Sequence, residues 1–145
     1  MKKLAALVLS AALLAGSAAA VTPEEAFPAV HTYPGFIDVE EGAWYADAAR
    51  VCCEVGLMQG TGHAFAPDEL LTVGEVAAIA ARMNQAVTGE AIPEAGPGQP
   101  WYQCYVDYLE GLGVTVPDGA QTAGRQDFIT LLAAVVPEDI ALHDW

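Results

Sequence analysis

The sequence predicts an all-α protein: two tandem helix-loop-helix units packed together, behind a cleaved N-terminal signal peptide. The pair Trp44-Tyr45 and the pair Trp101-Tyr102 each stand twelve residues before a glycine, and a second apolar helical pattern follows each pair. A repeat with a fixed spacing, here 57 residues between the two tryptophans, indicates two copies of one supersecondary unit. No convincing alternation of apolar and polar residues indicates a β-strand.

The first 20 residues have the organisation of a secretory signal peptide. Lys2 and Lys3 precede an apolar stretch over residues 4–15, and small residues up to Ala20 supply a cleavage site. The apolar stretch is too short to span a bilayer comfortably. We therefore expect a secreted protein; the alternative is an uncleaved membrane anchor.

The chain is strongly acidic. Without residues 1–20 it keeps three arginines against 19 acidic residues, a net charge of −16. Such a surface repels phosphate backbones and anionic lipid head groups, so nucleic acids and, after signal cleavage, membranes are poor partners. The acidic residues are spread out rather than grouped in a block, which indicates a solvated face.

The three cysteines leave an odd one. Cys104 lies in the second unit, and in an exported chain it can form a disulfide with either Cys52 or Cys53. The alternative, which we favour, is that all three are small buried apolar residues. Their spacing is not that of a zinc site, and the three histidines are far apart in the sequence. We expect no metal and no cofactor.

Four helices follow from the spacing of apolar residues. The first covers about residues 42–55, and its apolar face begins at Trp44; the third begins at Trp101 and repeats that face. Gly56 and Gly113 are expected to end these helices, because glycine takes positive φ without penalty.

The second helix begins with a capping box. Thr72 can cap it, and Glu75 at the third helical position can reach back to the backbone N–H of the cap. The fourth helix covers about residues 124–136, with Phe128 and Leu131 among its buried residues. The predicted organisation is a signal peptide (1–20), an extended lead-in (21–35), a first unit (36–87), a Gly/Pro linker (88–100), a second unit (101–137) and a tail (138–145).

Six sequence elements of the first unit occur in a characteristic order. They are Phe36-Ile37-Asp38-Val39, Trp44, the turn from Gly56 to Gly60, Phe65, Pro67, and Leu71-Thr72-Val73-Gly74-Glu75. In this order they resemble an S-layer homology (SLH) repeat, which ends in a Thr-Arg-Ala-Glu-like helix start. Residues 101–136 resemble a second copy that lacks the Phe-x-Pro loop.

The resemblance implies a mostly helical module that holds exported proteins at the bacterial surface. Members of that family bind cell-wall polysaccharide, often pyruvylated and therefore anionic, without covalent chemistry, in grooves between adjacent repeats. An arginine fork suits a carboxylate well. Other SLH-containing surface proteins are further partners that the resemblance implies. The binding residues that it implies are Arg125, Trp44, Asp38, Thr72, Glu75, Trp101 and Asp127.

The chain departs from the family pattern at the motif arginine. Val73 occupies that position in the first unit, and Gly74 the following alanine position. In the second unit Arg125 matches the arginine, with Gly124 at the threonine and Asp127 at the glutamate. Family members often carry three repeats, so a third repeat from another molecule stays open.

Six of the seven implied binding residues also have a structural interpretation. The tryptophans start amphipathic helices and fit a packed core, while Thr72 and Glu75 are explained by capping. Asp38 can order the turn before the first helix, and Arg125 can pair with a neighbouring acid. A calcium cluster at Asp38, Glu40 and Glu41 lacks the spacing of an EF-hand loop.

We therefore expect a secreted module that associates non-covalently with cell-wall polysaccharide at the cell surface, with Arg125 as the anion contact. The alternative is a structural or protein–protein interaction module that has lost polysaccharide binding. An enzyme is disfavoured, because the sequence offers no nucleophile–base pair and no paired-carboxylate motif.

Replacing Thr72 with alanine should lower the free energy of unfolding by about 1 kcal/mol, because a cap side chain satisfies a backbone N–H that has no partner within the helix. Urea unfolding followed by circular dichroism measures the change. Thr61→Ala, in the loop before the cap, is the matched control. Equal midpoints for the two variants would contradict the capping assignment.

Overall fold

The computed structural model describes residues 27–136, and this part of the chain contains helices but no strand beyond isolated β-bridges. The all-α prediction is confirmed there. The helices are α1 (Ala46–Glu54), α2 (Val73–Thr88), α3 (Gln103–Gly111) and α4 (Arg125–Ala133). The predicted signal peptide (1–20), the tail (138–145) and the start of the lead-in (21–26) lie outside the described residues.

The central element is α2, which packs against both α3 and α4. Its Ala77, Ala80 and Ala81 are fully buried, and such small side chains let neighbouring helices approach closely. Leu109 of α3 and Leu131 of α4 fill the space on either side and are almost completely buried. The core cluster consists of Val73, Val76, Ala77, Ala80, Ala81, Met83, Val106, Leu109, Leu131 and Val135.

The predicted capping box at the start of α2 is confirmed. The hydroxyl of Thr72 accepts a hydrogen bond from the Glu75 N–H (3.3 Å), and the Glu75 carboxylate accepts one from the Thr72 N–H (2.7 Å). The first two N–H groups of α2 donate outside the helix, Val73 to the carbonyl of Gln121 and Gly74 to that of Gly119, both at 2.9 Å. Every N–H of the first turn of α2 therefore has a hydrogen-bond partner. The first N–H groups of a helix find no partner within the helix itself.

The start of α2 is tied to the loop that precedes α4. Thr72 and Thr122 form an antiparallel bridge, and the Ala123 N–H donates to the Leu71 carbonyl at 2.8 Å. The ring of Tyr102 lies against Gly74 and Gly119, where a Cβ on either glycine would collide with it. The ring of Tyr102 therefore fills the space that a side chain at position 74 would need.

Both predicted glycine stops are confirmed. Gly56 (φ 80°) and Gly113 (φ 83°) have left-handed backbones. At each glycine its own N–H and that of the next residue donate back into the helix: Gly56 to Cys53 and Leu57 to Cys52, then Gly113 to Glu110 and Val114 to Leu109. This is the Schellman arrangement, which satisfies the last carbonyls of a helix. The helices α1 and α3 thus end in the same way.

The prediction that the apolar face of the first helix begins at Trp44 is wrong. The helix α1 begins at Ala46, because Gly42 has φ 93° and the chain around it forms turns instead of helix. Trp44 stands in these turns and is 93% exposed. Trp101 also precedes its helix, since α3 begins at Gln103. The helical period that relates the side chains of one face applies only within a helix, so it does not place either indole.

The fourth helix also differs from its prediction. It ends at Ala133, and residues 134–136 form a turn and a bend. Leu131 is buried as expected, but Phe128 is 41% exposed. No helix within residues 27–136 combines the length and the apolarity needed to cross a bilayer.

Gly74→Ala should destabilise the protein. Alanine normally gains stability over glycine inside a helix, by about 0.5–1 kcal/mol, but here the new methyl group meets the Tyr102 ring. Gly111→Ala at the end of α3 is the matched control, because a Cβ there meets nothing within 4 Å. Thermal unfolding should give a lower Tm for Gly74→Ala and an equal or higher Tm for Gly111→Ala. A gain in both variants would show that Tyr102 does not confine Gly74.

Candidate binding clefts

One surface cleft, which we call cleft A, has a volume of about 690 Å³. The lead-in around Val30, the end of α1, the second half of α2 and linker residues 92–95 form its walls, together with Trp101 and Tyr105 of the α3 region. The N–H groups of Val30 and His31 donate to the Glu54 carbonyl at 2.8 and 2.9 Å. These bonds fix the lead-in against the end of α1, so cleft A has a defined wall on that side.

The second cleft, cleft B, has a volume of about 380 Å³. It lies between the loop of residues 57–71 and the first part of α2, with Glu75 and Ile79 among its lining residues. Three residues line both clefts, namely Gln59, Arg82 and Trp101. Arg82 and Trp101 therefore form the boundary at which the two clefts meet.

Arg82 is held in place by two hydrogen bonds. Its guanidinium donates to the Leu57 carbonyl at 3.2 Å and to the hydroxyl of Tyr105 at 2.9 Å. It also lies over the Tyr105 ring, 5.0 Å from the centroid, a distance at which a cation and a π-face attract. A guanidinium has five N–H donors, so these two bonds leave donors for a ligand.

Sequence reasoning did not select Arg82 as a site residue. The available signal was its position one turn from Ile79 and next to Met83, on the border of the apolar face of α2, in a chain with few basic residues. Of the other arginines, Arg50 pairs with Glu54 at 2.9 Å on the surface of α1, and Arg125 lines neither cleft.

Trp101 presents an exposed aromatic surface at the boundary between the clefts. It is 55% exposed, and its ring packs edge-on against Tyr102 and Tyr105, with centroids 5.8 and 6.1 Å apart. Its carbonyl accepts a contact from the Cys104 thiol at 3.6 Å. The indole is thus positioned by its neighbours without being covered by them.

Two implied site residues, Trp101 and Glu75, lie together at cleft B. The Glu75 carboxylate is already engaged, because one of its oxygens accepts from both the N–H and the hydroxyl of Thr72, at 2.7 and 2.9 Å. Thr72 itself lines neither cleft. The contacts between Thr72 and Glu75 are those of a helix cap.

Asp38 organises a loop. Its two carboxylate oxygens accept hydrogen bonds from the N–H groups of Phe65 (2.8 Å) and Ala66 (2.7 Å), and Ala66 has a left-handed backbone (φ 60°) that alanine rarely adopts. The bonds from Phe65 and then Ala66 hold the pKa of Asp38 below its usual value of 3.8. Asp38 therefore fixes the Phe-x-Pro loop, rather than the turn before α1 that the sequence suggested.

The remaining implied residues lie away from both clefts. Trp44 packs edge-on against Tyr45 and is otherwise exposed. Arg125 is the exposed first residue of α4, and within residues 27–136 its side chain makes no hydrogen bond or ion pair. The Asp127 carboxylate accepts from the Gly124 N–H at 2.8 Å, which is the half of a capping box that remains when the cap is glycine.

All three cysteines are free thiols. Cys53 and Cys104 are buried and Cys52 is partly buried. Burial, with the neighbouring Cys53, raises the pKa of the Cys52 thiol, which disfavours the reactive thiolate. Across residues 27–136, His, Cys, Asp and Glu side chains do not gather in groups of three that could ligate a metal ion.

The chain is similar to a small part of a much longer protein. An amylopullulanase from Thermoanaerobacterium thermosulfurigenes is 38% identical over 58 residues, which cover 39% of this chain and 3% of that protein. No protein-family model and no solved structure matches the chain.

Asp38→Asn should destabilise the protein at neutral pH. Each carboxylate oxygen of Asp38 accepts one loop N–H; an amide has a single acceptor oxygen, so one of the two N–H groups loses its partner. Since the folded pKa of Asp38 is lowered, its contribution is complete above pH 3.8 and is lost as the pH falls through the folded value. The difference in urea midpoint between wild type and Asp38→Asn should therefore narrow below pH 3.8. Asp68→Asn, an exposed carboxylate nearby, is the control; a difference that stays constant with pH would refute the role of Asp38.

Proposed function

We propose that this chain is a secreted module that associates non-covalently with a bacterial cell-wall polysaccharide through the clefts beside Trp101. The observation that carries the proposal is the exposed indole of Trp101 at the boundary of two open clefts. An aromatic face can cover the apolar face of a sugar ring. Around it, Arg82 and Gln59 offer polar groups for hydroxyls, the mixture of apolar and convergent polar groups that ligand sites use.

We further propose that residues 36–87 and 101–137 are two repeats of the S-layer homology type. Three likenesses support this. A Trp-Tyr turn precedes both α1 and α3, both helices end in a Schellman glycine, and both α2 and α4 carry an acidic residue at the third position that accepts from the cap N–H. The clefts then lie between the repeats, since Trp101 comes from the second and Arg82 from the first.

In the proposed complex, the cation that meets an anionic group of the glycan is Arg82 rather than Arg125. Arg82 lines both clefts and is already oriented by Leu57 and Tyr105, so binding does not have to order a flexible side chain. The proposed location at the cell wall follows from the signal-peptide pattern of residues 1–20 together with the resemblance to surface modules.

The second candidate function is a structural or protein–protein interaction module that has lost sugar binding. Val73, at the arginine position of the motif, is completely buried in the core, so the first repeat has no cation at the family's position. Exposed apolar side chains such as Ile37 and Leu70 suit contacts with other surface proteins, including further SLH modules.

Trp101→Ala should weaken retention on purified cell-wall sacculi by about tenfold, equivalent to ~1.4 kcal/mol of lost contact. Trp44→Ala is the matched control, since it removes the corresponding indole of the first repeat, which lies outside the clefts. Arg125→Ala should also be retained like the wild type. Co-sedimentation with sacculi measures all three, with circular dichroism to verify folding.

Two outcomes would contradict this assignment. Loss of retention in Arg125→Ala with retention intact in Trp101→Ala would move the site to the start of α4. Absence of wild-type binding to sacculi, together with binding to isolated surface proteins, would favour the interaction module.

A further inference from the structure

We propose that the bond between Asp118 and Gly119 is a site of spontaneous isoaspartate formation, which the folded chain suppresses and which, once modified, weakens the contact between the loop before α4 and the start of α2. The inference concerns a chemical modification of the chain itself and is independent of any ligand in the clefts. Asp118 and Gly119 form the single Asp-Gly pair of the sequence, which contains no Asn-Gly pair.

Packing requires the glycine that makes this pair reactive. Gly119 is buried between the exposed residues Asp118 and Ala120, and a Cβ at this position would collide with the ring of Tyr102. A side chain on the residue after an aspartate crowds the backbone nitrogen. Glycine leaves that nitrogen open to the neighbouring carboxyl carbon and lets the backbone rotate freely. The contact that seats Tyr102 beside α2 therefore places a glycine directly after Asp118.

The reaction needs water and no other reagent. The backbone nitrogen of Gly119 attacks Cγ of Asp118, and a carboxyl oxygen leaves as water with the Gly119 amide proton and a proton from solvent. The product is a five-membered succinimide ring. Water then opens the ring: breaking the bond from nitrogen to Cγ restores aspartate, and breaking the bond from nitrogen to the backbone carbonyl carbon gives isoaspartate. Asp118 is exposed, so water can reach the ring.

The folded structure opposes ring closure, which requires the peptide unit between Asp118 and Gly119 to rotate toward the Asp118 side chain. The carbonyl of this unit accepts a hydrogen bond from the Gln121 N–H at 3.1 Å, and the Asp118 carboxylate accepts one from the Ala120 N–H at 3.0 Å. The next carbonyl, that of Gly119, accepts from the Gly74 N–H at 2.9 Å. The reaction therefore proceeds from molecules in which this loop has opened, and its rate follows the population of the open form.

Isoaspartate formation removes the turn that positions the loop. In the product the main chain runs through Cβ and Cγ of residue 118, so it is longer by one carbon atom, and the former backbone carbonyl becomes part of a free carboxylate. The hydrogen bond from the Gln121 N–H to that carbonyl loses its geometry. The carbonyls of Gly119 and Gln121 then lose their register with the first two N–H groups of α2, which find no partner within the helix.

The test follows isoaspartate at residue 118 of the purified protein. Samples are incubated at neutral pH, folded in one arm and unfolded in urea in the other, and peptide mapping by mass spectrometry locates the isoaspartate. Asp118→Ser is the matched control. Its hydroxyl can accept the Ala120 N–H, but it has no carboxyl carbon that could close a ring. Circular dichroism verifies that wild type and control are folded in the first arm.

Isoaspartate should accumulate at residue 118 in the unfolded arm, and at least about tenfold more slowly in the folded arm, because only the open population reacts. Asp118→Ser should form none at this position in either arm and should have the Tm of the wild type. The modified chain, separated by chromatography from the unfolded arm and returned to native buffer, should have a Tm several degrees lower than the unmodified chain.

Three results would overturn the inference. Equal rates in the two arms would show that folding does not restrain this loop. Absence of isoaspartate at residue 118 in both arms would show that the pair is unreactive. A modified chain with the Tm of the unmodified chain would show that the turn does not hold the loop on α2. None of these results bears on retention by sacculi, which tests the proposed function separately.

Discussion

The arrangement of the described chain depends on how the first turn of α2 obtains its hydrogen-bond partners. The N–H groups of Val73 and Gly74 donate to the loop before α4, while Thr72 and Glu75 complete the cap from within the helix. A buried helix start without such partners would be costly. Because the partners come from the second half, the same bonds that finish α2 also orient α4 and bring Tyr102 onto Gly74. Trp101, the residue before Tyr102, is carried with it to the boundary of the clefts.

The features that sequence reasoning predicted correctly are local. The capping box needs residues three positions apart, and the glycine stops need one left-handed residue after a helix, so a short stretch of sequence suffices for both. The missed features connect distant segments. Arg82 reaches partners 25 and 23 residues away, and Asp38 reaches the N–H groups of Phe65 and Ala66 across 27 and 28 residues. The positions of Arg82 and Asp38 in the sequence do not by themselves predict these contacts.

The two tryptophans show that neighbouring residues decide whether an indole packs against a helix or stays exposed. They occupy the same position in the sequence pattern, yet Trp101 packs against Tyr105 of the following helix and lines two clefts, whereas Trp44 has Tyr45 beside it and is almost fully exposed. The residues that follow account for the difference. Tyr105 stands four positions after Trp101, and Ala48 at the corresponding position after Trp44 offers no ring. The repeat pattern alone could not distinguish the two indoles.

The bridge between Thr72 and Thr122 joins positions 50 residues apart in the sequence. Closing so long a loop costs chain entropy before the contact contributes any stabilising free energy. During synthesis the first half leaves the ribosome while the loop that completes α2 has not yet been made. The first turn of α2 therefore lacks these two backbone partners until residues 119–121 have been translated.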